Sequence, residues 1–172
     1  MANVNSPFGL RMIGRTMSGG SPRLVQFSKA AGYGTAIFVG DAVNRVADGS
    51  IEVSATPGTT NFSGVALNYG AVSSATDHLV CVSPDTLYVV QANGSTVVAD
   101  IGLNANLSLG AGSATTKKSG HVLASSTQDV TNTLDLHLLE HLSSPDNDPT
   151  ASYARVIVTI NKHRMAPATV GV

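Results

Sequence analysis

Residues 134–142, LDLHLLEHL, decide between a helical and a β fold. Their leucines at positions 134, 136 and 138 alternate with polar residues, which is the two-residue period of a strand. The preceding residues 130–133, VTNT, are poor helix formers. The stretch therefore predicts a strand with Leu134, Leu136 and Leu138 facing the core. Asp135 and His137 are expected on the outer face, and the phase breaks near Leu139, which suggests a bulge.

The same stretch contains the pattern His-x-x-Glu-His, formed by His137, Glu140 and His141. On a helix this pattern brings two zinc-binding histidines together beside a general base. On a strand the two histidines lie roughly 13 Å apart, too far to bind one ion. The zinc peptidases with this pattern also need a downstream glutamate ligand, and Glu140 is the last glutamate here. We therefore predict no catalytic or metal site, and interpret His137, Glu140 and His141 as a polar strip at a possible subunit interface.

The rest of the chain from about residue 25 has the same β character. The clearest period is in residues 153–161, where Val156, Val158 and Ile160 face one side. Asp48-Gly49 and Asn93-Gly94 are hairpin dipeptides, and residues 95–99 are expected to pair back after the second. Short strands at this spacing predict an all-β fold, either an antiparallel β-barrel or a jelly-roll-like sandwich, with little helix. We assign residues 25–165 to a single β domain and residues 166–172 to a C-terminal tail.

Residues 1–24 differ from this domain. They contain three of the six arginines, several glycines and prolines, and no acidic residue, and their apolar residues follow no period. This composition predicts an extended N-terminal arm that docks on another surface rather than a packed element. The predicted contact residues are Phe8, Leu10, Arg11, Met12, Ile13, Arg15 and Arg23.

Composition limits the functional classes further. Charged residues make up 12% of the chain and the net charge is −1, whereas ordinary soluble domains are about 25% charged. The weak charge argues against a nucleic-acid binder, and a poorly charged surface suits a protein that meets other protein. No stretch has the length of a membrane span and no signal peptide is expected. Cys81 lies in an apolar run and is interpreted as a buried thiol, and no motif predicts a cofactor.

Five stretches, in their order along the chain, resemble the head decoration (capsid cement) proteins of tailed bacteriophages. No single stretch is chemically specific, and their order carries the resemblance. Residues 135–141 and the Thr-Lys-Lys loop do not match that family's pattern closely. The matching stretches are residues 2–11 (ANVNSPFGLR), 32–43 (GYGTAIFVGDAV), 64–66 (GVA), 100–104 (DIGLN) and 155–163 (RVIVTINKH).

This resemblance implies a mostly β structural protein, not an enzyme, on the outer surface of an icosahedral virion. It implies attachment to the major capsid protein, commonly as a homotrimer, after synthesis in the host cytoplasm. The N-terminal arm would then supply apolar side chains for capsid pockets and arginines for capsid carboxylates. The alternative from the residues alone is a small β-barrel binding module for a ligand or a host receptor.

Overall fold

The strands of the computed structural model are short, with two to six residues each. The structure describes residues 3–59, 61–166, 168 and 171. Most of the predicted tail, residues 166–172, and the first two residues of the predicted arm lie outside the described residues. The strands are β1 (Arg11–Thr16), β2 (Leu24–Lys29), β3 (Ala42–Arg45), β4 (Ile51–Val53), β5 (Gly64–Ala66), β6 (Thr76–Cys81), β7 (Thr86–Gln91), β8 (Asn104–Ala105), β9 (Leu107–Ser108), β10 (Val122–Leu123), β11 (Leu136–His141) and β12 (Arg155–Ile160). The two short 3₁₀ turns are Val98–Asp100 and Ser125–Thr127.

The strands form two five-stranded antiparallel sheets and one small ribbon. The first sheet has the order β1-β7-β12-β11-β8, the second has the order β2-β6-β5-β3-β4, and β9 pairs with β10. Both large sheets are open, with free ends to their strand orders, so the described residues form a sandwich and not a closed barrel. The predicted all-β class with little helix is confirmed.

The main core lies between the two sheets. Val156, Val158 and Ile160 of β12 enter it, as their alternation predicts, and so do Leu136 and Leu138 of β11. The second sheet contributes Ala42, Val65 and Cys81, which is fully buried as expected. Each large apolar side chain buried here stabilises the fold by roughly 1.5–3 kcal/mol.

One predicted hairpin is confirmed and one is wrong. Val43 pairs with Val53 in the β3–β4 hairpin, and Gly49 takes φ +87° in its turn. The Asn93-Gly94 segment does not turn β7 back on itself, because β7 already has β1 on one side and β12 on the other. The Asn93 side chain instead accepts hydrogen bonds from the backbone N–H and the hydroxyl of Ser125, both at 3.0 Å.

The interpretation of residues 1–24 as an unpacked arm is wrong for its central part. Arg11–Thr16 is β1, paired antiparallel with β7, and Leu10 is only 1% exposed within the main core. The sequence of β1 shows no clear strand period because its register against β7 shifts between Met12 and Thr16, with Gly14 at φ +91°. The β domain therefore begins before residue 25.

Candidate interaction surface

The four edge strands of the two large sheets differ in how far they are protected. β4 has three residues, and the Val53 backbone N–H donates to the Tyr33 hydroxyl at 3.0 Å. β8 has two residues, and Asn104 makes an antiparallel bridge to Asp129. β1 and β2 have six residues each and end their sheets. Unpaired edge strands are the places where a sheet most readily meets another chain.

The strands β1 and β2 form one continuous edge across both sheets, because residues 11–29 run beside residues 76–91. The Met17 backbone N–H donates to the Asp85 carbonyl oxygen at 2.8 Å. The Arg23 backbone N–H donates to the Ser83 hydroxyl at 2.7 Å, and Val82 returns a hydrogen bond to the Arg23 carbonyl oxygen at 3.0 Å. We call residues 11–29 the β1–β2 edge.

Apolar and cationic side chains project from the β1–β2 edge. Ile13, Met17 and Leu24 are 36%, 59% and 42% exposed. The exposed cations are Arg11, Arg15 and Arg23. None of these three guanidinium groups forms an ion pair with another described residue. Arg11 lies over the ring of Phe8, 5.1 Å from its centroid. A planar guanidinium with free donors suits the bidentate binding of a carboxylate.

The predicted contact residues of the arm thus divide into two groups. Arg11, Ile13, Arg15 and Arg23 are exposed on the edge and available to a partner. Leu10 is buried in the core, so its prediction as a contact residue is corrected. Phe8 and Met12 are half-buried, Phe8 against a small cluster on the outer face of the first sheet and Met12 against the main core. Leu10 therefore has almost no surface to offer a partner, whereas Phe8 and Met12 keep part of theirs.

The residues before β1 bind to their own domain through polar side chains. The Asn3 side chain donates to the carbonyl oxygen of Asp148 at 2.8 Å and accepts from the Asp148 backbone N–H at 2.8 Å. The Gln91 side chain accepts from the Ser6 backbone N–H at 3.0 Å and donates to the Val4 carbonyl oxygen at 2.8 Å. These pairs fix the segment over the first sheet.

The histidine-containing stretch forms β11, with the bulge where the sequence places it. Its register against β12 shifts between Leu138 and Glu140. A ring nitrogen of His137 lies 2.8 Å from Asn104 Oδ1, whereas Glu140 is exposed. Within the part of the chain that the structure describes, no group of three or more His, Cys, Asp or Glu side chains could hold a metal ion.

His141 contacts a different segment from His137. Its Nε2 lies 3.0 Å from the Thr96 hydroxyl, which is fully buried and 3.5 Å from the Pro149 carbonyl oxygen. A buried hydroxyl that faces a backbone carbonyl is placed to bind neighbouring segments together rather than to meet a substrate. Of the predicted polar strip, Glu140 alone projects into solvent.

Asp135 was expected on the outer face, and this prediction is wrong. Its carboxylate is fully buried and accepts hydrogen bonds from the backbone N–H groups of Gly58 at 2.8 Å and Leu107 at 3.0 Å. Burial raises the pKa of Asp135, and the two backbone donors oppose that rise. The residue holds the turn at Gly58 and strand β9 to the start of β11. The period of the strand gives no sign of these distant partners.

Further buried polar groups could not be identified from the sequence. Lys29 is 1% exposed, its Nζ has no hydrogen-bond partner among the described residues, and it lies 5.7 Å from the Tyr33 ring centroid. Burial lowers the pKa of Lys29.

His121 pairs with Asp41 at 3.5 Å, and both side chains are buried. Burial lowers the pKa of His121, while the Asp41 charge opposes that effect.

Arginines outside the predicted arm also contribute to this side of the molecule. Arg45 and Arg164 are exposed near Arg23, although they lie far apart in the sequence. Sequence reasoning missed them because single arginines in a β domain are usually surface residues.

Among the described residues, no helix has the length and hydrophobicity needed to cross a membrane. No protein-family model matches this chain, and no curated protein is significantly similar to it in sequence.

Proposed function

We propose that this protein is a structural component of a tailed-phage virion that attaches to the outside of the capsid and bridges major capsid protein subunits. The five stretches that resemble capsid decoration proteins motivate the proposal. The observation that supports it most is the β1–β2 edge, which is long, has no further strand hydrogen-bonded to it, and carries arginines without ion-pair partners among the described residues beside exposed apolar side chains.

The chemistry of the edge suits a protein surface. Ile13, Met17 and Leu24 offer apolar area, and the arginines offer forked donors to carboxylates. A subunit that binds the intact shell more tightly than its separated parts stabilises the shell by mass action. In this proposal the protein acts as a homotrimer, so three modest contacts bind together at a high effective concentration. Glu140 is the exposed residue that we assign to the subunit interface.

Co-sedimentation with capsids of the encoding phage tests this proposal. The wild-type chain should bind, and a variant carrying Arg11→Gln and Arg15→Gln should bind at least about a hundredfold more weakly, since each lost charge-assisted hydrogen bond costs about 1.5–3 kcal/mol and about 1.4 kcal/mol is tenfold in Kd. Lys117→Gln is the matched control, because it removes an exposed cation outside the edge. Circular dichroism of each variant verifies the fold.

Two results would contradict the proposal. The first is a wild-type chain that does not sediment with capsids. The second is an Arg11→Gln, Arg15→Gln variant that binds as tightly as the Lys117→Gln control. Light scattering of the free chain tests the homotrimer separately, and a monomer at all concentrations would refute that part.

A further inference from the structure

A shallow groove crosses the outer face of the second sheet, beside β2. Its apolar floor is formed by Val25, Phe27 and Val82, which belong to or pack against the second hydrophobic cluster. Met165 is 62% exposed at its rim. Its cations are Arg23, Arg45 and Arg164, and we call this surface the arginine groove.

The cations of the arginine groove have no carboxylate partners. No described residue forms an ion pair or a side-chain hydrogen bond with any of the three guanidinium groups. Arg45 lies over the Phe27 ring, 5.7 Å from its centroid, so this cation stands above the apolar floor. None of the described residues that line the groove is acidic. Glu52 lines an adjoining pocket together with Arg45 and Arg164, and Asp48 lines another together with Arg45.

Three unpaired guanidinium groups around an apolar floor are complementary to a partner that carries both carboxylates and an apolar side chain. We infer that the arginine groove binds an extended acidic segment of a partner protein, with one large apolar side chain over Val25 and Phe27 and carboxylates on the flanking arginines. A guanidinium group can donate two parallel hydrogen bonds to one carboxylate, and the apolar floor can shield the partner's apolar side chain from water. The groove shares Arg23, Val25 and Phe27 with residues 11–29, but Arg45 and Arg164 lie outside the β1–β2 edge. A segment bound across the groove therefore goes beyond the proposed capsid attachment.

A nucleic acid fits this surface less well. Phosphate backbones are recognised along extended basic tracks, usually on domains with a strong positive charge. This chain has a net charge of −1, and the three groove arginines surround an apolar floor and do not form an extended basic track. One aromatic ring, Phe27, offers little platform for successive bases.

Peptide titration of the full-length chain tests the inference. The probe is the blocked peptide acetyl-Glu-Leu-Asp-Phe-Glu-amide, and its control is the neutral analogue acetyl-Gln-Leu-Asn-Phe-Gln-amide. Calorimetry should show binding of the acidic peptide that weakens as salt is raised. Arg45→Gln and Arg164→Gln should each weaken it about tenfold, as expected for loss of a charge-assisted hydrogen bond. Lys117→Gln, which removes an exposed cation outside both the edge and the groove, should bind like wild type.

Three outcomes would overturn the inference. The acidic peptide and its neutral analogue bind equally, or neither binds. The Arg45→Gln and Arg164→Gln variants bind the acidic peptide as tightly as Lys117→Gln does. A thymidine oligonucleotide competes for the groove more tightly than the peptide, which would make the partner a nucleic acid. None of these results depends on capsid binding, so the two proposals can fail separately.

Discussion

Val82 donates its backbone N–H to the carbonyl oxygen of Arg23 at 3.0 Å. This hydrogen bond lies where the chain passes from one sheet of the sandwich to the other. It keeps residues 11–29 beside residues 76–91 through the corner, so that two edge strands act as one surface. The length of the proposed capsid-binding surface depends on this continuity, since neither strand alone has more than six residues.

Replacing Leu10 by alanine should destabilise the fold by about 2–5 kcal/mol, because it leaves a cavity in the main core. The matched control is Ile13→Ala, at a more exposed position in β1 three residues further along, which should cost less than about 1 kcal/mol. Urea unfolding measures both. Equal, small effects would mean that residues 1–24 form an unpacked arm after all.

Replacing Asp135 by asparagine should cost roughly 1–3 kcal/mol of unfolding free energy, because an amide N–H₂ would then face one of two buried backbone donors. Asp129→Asn is the control, since Asp129 is exposed. Urea unfolding at neutral pH should separate the two variants. If Asp135→Asn is as stable as the control, the carboxylate does not hold the Gly58 turn and β9 as described.

Stability should fall as the pH drops below about 6.5. Burial lowers the pKa of all five histidines in the folded state. The unfolded chain, with histidine pKa values near 6.5, therefore binds more protons below that pH, which favours unfolding. The contribution of the neutral histidines to the free energy of unfolding is fully present above pH 6.5. It is lost as the pH falls from their pKa in the unfolded chain towards their lower pKa values in the folded protein. Urea unfolding at pH 7.5 and 5.5 measures the change, and equal free energies at both would contradict it.

The strands that could be predicted are those whose two faces meet different surroundings. In β12, Val156 and Val158 enter the main core while Ile157 joins the cluster on the opposite face, and the sequence alternates accordingly. The helix-like pattern in residues 134–142 was also resolved by period, and the bulge after Leu138 is where the phase breaks.

What could not be predicted depends on contacts between distant segments. β1 was hidden by its register shift and by Gly14, which interrupt the alternation in the same few residues. The burial of Asp135 depends on backbone donors from Gly58 and Leu107, and no local pattern encodes them. For the same reason, the approach of Arg45 and Arg164 to Arg23 became visible only in the folded chain.

The central claim is that the β1–β2 edge faces the capsid, and thiol accessibility tests it most directly. Cys81 is buried, so a single introduced surface cysteine is the main reactive thiol. The test variant is Arg15→Cys on the edge, and the control is Val130→Cys, at a residue 50% exposed near β8 on the far side of the first sheet. Each is labelled with maleimide, free and bound to capsids. We expect capsids to slow labelling of Arg15→Cys in proportion to the bound fraction and to leave Val130→Cys unchanged. Undiminished labelling of Arg15→Cys on bound protein would contradict the account.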